Sequence, residues 1–552
     1  MEKELVMTTY LSKLKNLWGD KQKTIIFVSL VLAVCGGFAA YFVTPWGPVV
    51  GSDSVEYLLS AKNLVDVGYF GIIWGQGSFE PLAIHPPALS FLIAMLYAMG
   101  MTVLNAMRFI CVVSFGLLLF SVSLLSYRIT RKLSLSFQLS LLFLFTPFIF
   151  TAYISAMSEC VFYLFMVTSF LFLLIYLETS SLPVLISSGF LSLGAFMSRY
   201  VGITIPLTCL IGILFLSQQN WKKRIIDVFI FGLISIGVSL IWFSWNLRTT
   251  SHLGGRMTIG GFNLWKSSVV FRLKLSSVIW NWLTLNSNIQ VSYTVQKVSI
   301  VLFLLILGLI GSLMCYKLFR QPNKKTYLTL IRWIILFAMS AFLYIVIYFL
   351  AFAFTIPPPD LYERIASPIY ISVILMIFGM IYLAADLWQN KKWLMWFSWL
   401  FLAILLSFYL PKTMAIANAM RIDGGGYTSK VWRESKLIQA IQQMPENIPI
   451  VTNEPAAVLF LTGRDAIWVS ETLGKLMVNP KNSYGESQDD PGESVFRNGG
   501  ALVLFYGFYW QLEPFYGKQT KERINAMLDG LIVYKDFGSN SGIYFYKPDY
   551  VP

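Results

Sequence analysis

Two carboxylates, Asp53 and Glu56, lie close together in GSDSVEYLLSAKNLVDVGYFG, residues 51–71. Their spacing is typical of a capping box in front of a helix over Val55–Asp66, with Asp53 as the N-cap and Glu56 as the third helical residue. A carboxylate at this position is also able to remove the proton of an attacking hydroxyl group as a general base. Spacing alone favours the cap, and the two roles are compatible because a cap fixes where the carboxylate points.

A second candidate pair occurs in FEPLAIHPPALSFL, residues 79–92, where Glu80 precedes His85 by five residues. A carboxylate and an imidazole are able to share a divalent metal or to hold a catalytic water. Two ligands are fewer than a metal signature requires. A structural histidine at the membrane surface is therefore the alternative.

Arginines form the third group of candidates, because the guanidinium fork matches the oxygens of a phosphate group. Arg199, Arg248, Arg256 and Arg364 fall at predicted membrane ends or in an outer loop, and Glu159 in ISAMSEC falls at the same level. One arginine at a membrane end usually anchors to a lipid headgroup. Several that face one outer cavity indicate a substrate- and phosphate-binding site, in which we also place Glu159.

Transmembrane helices must position these residues. The chain has 552 residues, of which 56% are hydrophobic and 13% charged, whereas a soluble chain carries about 25% charged residues. The net charge of +14 comes mainly from short loops between apolar runs, which is the positive-inside pattern and not a sign of nucleic-acid binding. The five cysteines lie in apolar runs, with no metal-ligand or disulfide spacing.

The predicted fold class is a polytopic α-helical membrane protein with a C-terminal soluble α/β domain. Residues 1–23 form a cytoplasmic N-terminus, 24–411 the transmembrane domain with outer loops 45–102 and 247–295, and 412–552 the extracytoplasmic domain. Segment 86–100 is too short to count as a span. The eleven predicted spans are about 24–44, 103–126, 133–150, 155–177, 182–198, 201–216, 225–246, 296–316, 331–354, 366–384 and 393–411.

The tail has the pattern of a small α/β layer. It opens with DGGGY, residues 423–427, which we interpret as a flexible linker, followed by the helix-like KVWRESKLIQAIQQM. The long polar piece NPKNSYGESQDDPGES predicts a loop. Five β-rich runs follow the helix-like segment, namely IPIVT, AIWVS, ALVLFYG, LIVYKDF and GIYFYK.

Several pieces of the chain, taken in order, resemble a known group of enzymes. After the first span come DSVEYLLSAKNLVDVGYFG, IHPPALSFLIAMLYAMG, SAMSE, MSRYVGITIP and WNLRTTSHLGGR, then YERIASPIYISVIL and, in the tail, VTNEPAAVLFLTGR. This order resembles the GT-C superfamily of integral membrane glycosyltransferases. The similarity is to its bacterial branch, like the protein O-mannosyltransferases and lipid A aminoarabinose transferase (glycosyltransferase family 39-like).

The resemblance implies a reaction and a role for Asp53. Such enzymes take a sugar from a polyprenyl-phosphate carrier and transfer it to an acceptor on the outer face of the membrane. Their first-loop acidic residue corresponds to Asp53, which implies a general base. The position reads SDS here, where protein mannosyltransferases carry an adjacent acidic pair, and this departure argues against a protein acceptor.

The resemblance also implies binding residues. Glu80 and His85 fall where the aminoarabinose transferases have a first-loop metal site, although the spacing differs. Arg199, Arg248 and Arg364 correspond to contacts with the carrier phosphate.

We therefore expect a lipid-phosphosugar-dependent hexosyl- or pentosyltransferase in the cell inner (plasma) membrane. Its expected partners are a polyprenyl-phosphate-linked sugar donor, a glycan, lipid or protein acceptor, and membrane lipids, with no nucleic acid. A divalent metal is the one cofactor that the residues suggest. Two alternatives stay open: a glycan polymerase or ligase with an isoprenoid-pyrophosphate donor, and a membrane transporter or flippase.

Overall fold

The architecture is that of a computed structural model. It describes residues 20–74, 78–251, 253–254, 257–258, 264–284, 293–321, 327–356, 358–388, 392–469, 495–496, 498–528, 531–538 and 541–546. The loop predicted over residues 479–494 and the candidate Arg256 lie outside the described residues.

Most of the described chain is α-helical. The α-helices, numbered along the chain, are α1 (Asp20–Val43), α2 (Ser52–Asp66), α3 (Ala88–Ala98), α4 (Val103–Thr130), α5 (Leu133–Phe145), α6 (Pro147–Tyr153), α7 (Glu159–Thr179), α8 (Leu182–Ser198), α9 (Thr204–Leu216), α10 (Trp221–Gly232), α11 (Ser239–Thr250), α12 (Leu264–Thr284), α13 (Tyr293–Phe319), α14 (Leu328–Phe354), α15 (Glu363–Leu387), α16 (Lys392–Asp423), α17 (Lys430–Arg433), α18 (Lys436–Gln443), α19 (Pro455–Thr462), α20 (Phe508–Tyr516) and α21 (Thr520–Leu528).

Each of the eleven predicted spans falls on one or more of these helices. Among the described residues, seven helical stretches are long and apolar enough to cross a membrane, and the bent pair α5–α6 makes eight. The chain is therefore a polytopic helical membrane protein, as predicted. The seven stretches are Lys23–Val43, Val103–Thr130, Glu159–Thr179, Trp221–Thr250, Leu328–Phe354, Glu363–Leu387 and Lys392–Asp423.

Two helices in the predicted loops bear on the site. Helix α3 has 11 residues, about 16 Å of helix, which is too short to cross a hydrocarbon core of about 30 Å. Helix α12 occupies much of loop 247–295 and was not predicted. Its aromatic Phe271 packs against Tyr348 and Phe352 of α14, so the loop is anchored to the bundle.

The described chain divides into two compact units. Unit 1 comprises Met1–Pro45, Ala83–Leu92 and Asn105–Arg421, and unit 2 comprises Trp46–Leu82, Ile93–Leu104 and Ile422–Pro552. Helix α16 runs to Asp423, twelve residues beyond the predicted end of the last span at 411. The backbone therefore stays helical past the predicted domain boundary.

Helix α2, in unit 2, begins earlier than predicted and is capped differently. It starts at Ser52 after the N-cap Gly51, and the backbone N–H of Gly51 donates to Oγ of Ser54 at 3.0 Å. The prediction that Asp53 is the N-cap is wrong. Asp53 lies inside the first turn, where the partial positive charge of the helix N-terminus favours a carboxylate.

The C-terminal part of unit 2 is an α/β domain built on five strands, as predicted from the five β-rich runs. Among the described residues the strands, numbered along the chain, are β1 (Gly71–Trp74), β2 (Ser78–Pro81), β3 (Met257–Thr258), β4 (Thr355–Ile356), β5 (Ile450–Thr452), β6 (Ala466–Trp468), β7 (Ala501–Leu504), β8 (Leu531–Asp536) and β9 (Gly542–Tyr546). The strand order in the domain is β6-β5-β7-β9-β8, with β5 parallel to both β6 and β7, and β9 antiparallel to β7 and β8. Apolar clusters cover both faces of the sheet.

The DGGGY segment is a docking loop, and the expectation of a flexible linker is wrong. The N–H of Tyr427 donates to the carbonyl of Val50 at 2.7 Å, and Oγ1 of Thr428 donates to the carbonyl of Pro48 at 2.9 Å. Gly426 adopts φ +57° and approaches the Val50 carbonyl too closely for a side chain to fit. These bonds join the start of the α/β domain to the residues that precede α2.

Candidate active site

Three charged residues meet inside unit 1. Glu159 opens α7 and is 1% exposed, and its carboxylate pairs with the guanidinium of Arg199 and, at 3.2 Å, with Nε of Arg364. Arg199 ends α8 in an extended conformation, and Arg364 is the second residue of α15. A carboxylate at a helix N-terminus is favoured by the helix dipole, so the fold of the SAMSE segment fixes the anion that holds both arginines.

Arg364 also lines an open pocket of about 240 Å³ in unit 1. Beside it the wall carries Lys412 and Glu363, and Asn281 of α12 donates to the Glu363 carboxylate at 2.5 Å. The remaining lining residues are mainly apolar or aromatic and include Pro147, Phe148, Tyr362 and Ile416.

The charges around the pocket have an excess of cations. The group contains three cations and two carboxylates, which leaves one net positive charge: Arg199, Arg364 and Lys412, and Glu159 and Glu363. A guanidinium beside apolar surface suits a ligand with a phosphate head and a hydrocarbon body. Such a ligand is what the residues of this pocket are able to bind.

A proline break gives the pocket its apolar wall. Helices α5 and α6 bend by 71° at Thr146, because the residue before a proline disfavours the α conformation. The break frees the carbonyl of Phe145, which accepts a hydrogen bond of 2.6 Å from Oγ1 of Thr413. A freed backbone group inside a membrane must find such a partner. Thr413 follows Lys412, so one turn of α16 closes the break and supplies a pocket cation.

Tyr200, next to Arg199, ties three parts of unit 1 together. Its hydroxyl donates to the carbonyl of Ala83 at 2.6 Å and accepts from Nε1 of Trp242 and Nδ2 of Asn246, each at 3.1 Å. The strip that precedes His85 and the helix that carries Arg248 are thereby fixed beside the arginine cluster.

In the part of the chain that it describes, the structure does not place the other two predicted phosphate contacts, Arg248 and Arg256, in this cluster. Arg248 is exposed in the last turn of α11, and no described contact joins it to Glu159. Arg256 lies outside the described residues. The structure thus brings Arg199 and Arg364 together and makes Glu159 their counter-ion, whereas the predicted role of Glu159 was substrate binding.

The first-loop carboxylates lie in unit 2. Asp53 and Glu56 are half-buried on α2, and β1 pairs with β2 so that Glu80 stands opposite Ile72. Partial burial, and then the nearby Glu56 carboxylate, raises the pKa of Glu80. The effect of Glu56 on Glu80 shows that the two carboxylates lie within electrostatic range of each other.

The residues described contain no group of three or more histidine, cysteine or acidic side chains placed to hold a metal ion. Glu80 and His85, the predicted metal pair, belong to different units. His85 is half-buried on the strip that Tyr200 anchors. The metal site stays a prediction.

A polar network that the sequence did not predict lies at the end of β5. The carboxylate of Glu454 accepts from the hydroxyl of Tyr427 at 2.9 Å and from Nε2 of Gln511 at 3.1 Å. Burial raises the pKa of Glu454, and these hydrogen bonds lower it by less. Burial first, and then the charges of Glu454 and Asp53, raise the pKa of the Tyr427 hydroxyl, so Asp53 lies within electrostatic range of the network.

Comparisons with known proteins support the fold. No protein-family model and no curated protein sequence matches the chain. Among solved structures, the archaeal oligosaccharyltransferase AglB from Archaeoglobus fulgidus, in complex with an inhibitory peptide and a dolichol-phosphate, is similar with a TM-score of 0.52 at 13% identity. The match covers 97% of this chain and 75% of that chain.

Two further structures are similar. The Archaeoglobus fulgidus oligosaccharyltransferase in complex with Zn and sulfate has a TM-score of 0.51 at 14% identity, over 94% of this chain and 73% of that chain. ArnT from Cupriavidus metallidurans, bound to undecaprenyl phosphate, has a TM-score of 0.47 at 14% identity, over 93% and 97%. The AglB matches, at TM-scores above 0.5, confirm the predicted GT-C resemblance at the level of the fold.

Proposed function

We propose that the protein is a membrane glycosyltransferase that moves a sugar from a polyprenyl-phosphate carrier to a hydroxyl acceptor. The N-terminus would be cytoplasmic, and loops 45–102 and 247–295 and the α/β domain would face outward from the inner (plasma) membrane. The GT-C fold supports a transferase that uses lipid-linked sugars, since both similar proteins were crystallised with a polyprenyl-type phosphate.

The observation that carries the proposal is the pocket of unit 1. Arg364 is held by Glu159 at 3.2 Å and shares the pocket wall with Lys412 and the apolar Phe148. A carrier needs a cation for its phosphate and apolar surface for the first isoprene units. The growing negative charge on a leaving phosphate is stabilised by fixed cations of this kind. Arg199, Arg248 and Arg256 are proposed as further phosphate contacts.

Asp53 is proposed as the general base. The acceptor oxygen attacks the anomeric carbon, the bond from that carbon to the phosphate oxygen breaks, and the phosphate leaves with the electron pair. The acceptor proton passes to the Asp53 carboxylate. A positioned base of this kind contributes about 10²–10⁴-fold. Ser54, and not Asp53, accepts the hydrogen bond from the N-cap residue Gly51. The Asp53 carboxylate is therefore available for this step.

Two alternatives make different demands on the same residues. A polymerase or ligase with an isoprenoid-pyrophosphate donor needs cations for two phosphates. A transporter or flippase needs a polar site near the membrane midplane on broken helices. Two of the pocket charges, Glu363 and Arg364, lie at the start of α15, which favours the transferase.

The test is transfer of radiolabel from a panel of polyprenyl-phosphate sugars to a cell-envelope extract by the purified protein in lipid. Asp53→Asn is the variant, and Asp66→Asn, on the same helix and paired only with Lys62 and Tyr97 among the contacts described, is the matched control. We expect transfer by the wild type and by Asp66→Asn, and a loss of about 10²-fold or more in Asp53→Asn. Equal transfer by all three proteins rules out Asp53 as the base. Absence of transfer from every donor contradicts the transferase.

A further inference from the structure

The sheet of the α/β domain has a topological switch point between β5 and β7. From β5 the chain moves to β6 on one side and then returns to β7 on the other. In open α/β sheets, ligands bind outside the carboxyl ends of parallel strands at such a point, because the connections leave in opposite directions and open a gap. We call the residues that follow β5 and β7 the carboxyl edge.

The carboxyl edge is polar, although strands β5 and β7 are fully buried. Asn453 accepts from the N–H of Phe505 at 2.8 Å and donates to Gln511 at 3.3 Å, and Gln511 donates to Glu454 at 3.1 Å. These bonds fix two side-chain amides and one carboxylate in place. Each Glu454 oxygen accepts one bond here, and a carboxylate offers about four acceptor sites, so Glu454 has capacity for a ligand.

Space lies beside this carboxylate. Gly507 follows β7, and a methyl group built on it would meet only Oε1 of Glu454, at 3.8 Å. Three aromatic side chains near the carboxyl ends are exposed: Trp468 at the end of β6 (55%), Tyr506 after β7 (62%) and Trp510 on α20 (56%). Aromatic rings with one wet face are typical of binding surfaces.

The carboxyl edge lies beside the helix that carries Asp53. Helix α19, which begins after Glu454, packs against α2. Tyr427 bonds to the Val50 carbonyl through its N–H and to Glu454 through its hydroxyl. Asp53 is the third residue after Val50, so a molecule held at the carboxyl edge has a short path to the Asp53 carboxylate.

We infer that the carboxyl edge binds the acceptor, and that the acceptor is a neutral carbohydrate. Sugar hydroxyls both donate and accept, which matches a carboxylate flanked by amides, and the C–H face of a sugar ring packs on an exposed aromatic ring. Asp53, Glu56 and Glu454 repel an anionic acceptor by their charge. This inference rests on the proposed function, with Asp53 as the base for the acceptor hydroxyl, and it assigns the α/β domain a substrate-binding role.

The experiment measures binding first, without a donor. Saturation-transfer NMR follows a panel of neutral hexose di-, tri- and tetrasaccharides, and one serine- and threonine-containing peptide, on the full-length protein in lipid nanodiscs. Glu454→Gln removes the carboxylate. Gly507→Leu fills the space beside it, since φ is −65° at position 507, and the oxygen nearest the added group, Oε1, is not the one that accepts from Tyr427. Asp465→Asn is the matched control, because Asp465 precedes β6 at the opposite edge of the sheet.

We expect at least one saccharide to bind the wild type and Asp465→Asn equally. Binding should weaken about tenfold or more in Glu454→Gln and in Gly507→Leu, as for loss of a charge-assisted hydrogen bond. In the transfer assay the acceptor KM should rise by the same factor, with the donor KM unchanged.

Three results overturn the inference: no saccharide binds, only the peptide binds, or both edge variants bind as the wild type does. Saccharide binding that follows the variants, in a protein without transfer activity, keeps the carbohydrate site and rejects the proposed transferase. Transfer that depends on Asp53 and not on Glu454 or Gly507 supports the proposed transferase and rejects the carbohydrate site.

Discussion

Arg364 holds its guanidinium 3.2 Å from the carboxylate of Glu159 while the same side chain lines the pocket of unit 1. Glu159 is almost fully buried and is shared with Arg199. A buried carboxylate is costly unless it is paired, so the two arginines compensate Glu159 and Glu159 in turn fixes their direction. Arg364 is therefore held in a fixed position at the pocket by a carboxylate that does not itself line the pocket.

Removing this anion should destabilise the protein. Glu159→Gln leaves two partly buried arginines without their counter-ion, and breaking a buried pair from one side costs about 3 kcal/mol. The measurement is the free energy of unfolding of the purified protein in detergent.

The double variant Glu159→Gln/Arg364→Gln provides the internal control. Residues in direct contact show coupling of about 0.5–3 kcal/mol, so the double variant should lose less stability than the sum of the two single variants. Strict additivity would show that the pair does not interact.

Lys412 should matter for the donor and not for the fold. Lys412→Met keeps the length of the exposed side chain and removes its charge from the pocket wall. We expect the KM for the polyprenyl-phosphate sugar to rise about tenfold, as for loss of a charge-assisted contact. Lys392→Met, at the other end of α16, is the control. Equal KM values for Lys412→Met and Lys392→Met would place the carrier phosphate elsewhere.

The docking loop should tolerate no side chain at Gly426. Gly426→Ala adds strain at φ +57° and also places a methyl group against the Val50 carbonyl. The bond from Tyr427 to Val50 should break, and hydrogen exchange of the Tyr427 amide should accelerate. Gly499→Ala has the same kind of backbone strain, at φ +98°, but an added methyl group would meet nothing within 4 Å. Its free energy of unfolding should fall by only about 1 kcal/mol. Equal losses in the free energy of unfolding for Gly426→Ala and Gly499→Ala would mean that the clash with the Val50 carbonyl does not destabilise the protein.

Sequence patterns with a period or a long apolar run predicted the structure well. Every predicted span falls on a helix, and all five β-rich runs of the tail form strands, because the hydrophobic pattern reports directly on burial. Helix α2 was also predicted, but Asp53 was wrongly predicted as its N-cap. Ser54 and Asp53 are both acceptable capping residues, and only the backbone path at Gly51 decides which side chain the N–H meets.

The site depends on long-range contacts that local patterns do not encode. Lys412 resembles an ordinary lysine at the end of a span, and its place in the pocket follows from the bond of Thr413 to Phe145, 268 residues away. Glu454 precedes a proline and has the pattern of a helix start. Its role in the polar network depends on Tyr427 and Gln511, which reach it from other elements.

Arg332 should support the bundle without affecting the pocket. It is 3% exposed and donates to the carbonyls of Leu216 and Leu177, each at 3.0 Å, near the ends of α9 and α7. Arg332→Met leaves these carbonyls without that donor and should lower the free energy of unfolding by about 3 kcal/mol. Arg332→Lys should recover only part of the free energy of unfolding lost in Arg332→Met, because one ammonium group does not reproduce the guanidinium fork. Arg320→Met is the control, because Arg320 is exposed and directly follows α13. A loss no larger than the control's would show that the two carbonyls find other donors.

The stability of the α/β domain should depend on pH through Glu454. Burial raises the pKa of Glu454 in the folded protein above its ordinary value of about 4.3. The folded state therefore binds the proton more tightly than the unfolded state does, and the contribution is fully present below the ordinary pKa and is lost as the pH rises through the raised pKa. We expect amide protection of β5 and β7, corrected for intrinsic exchange rates, to be greater at pH 5 than at pH 7.

Glu454→Gln should flatten this dependence, since it removes the titrating group. Burial also raises the pKa of Asp465, and the Asp465→Asn control should keep the part of the pH dependence that belongs to Glu454. An unchanged slope in Glu454→Gln would show that another group titrates, and that the Glu454 carboxylate keeps its ordinary pKa when it accepts the bonds from Tyr427 and Gln511.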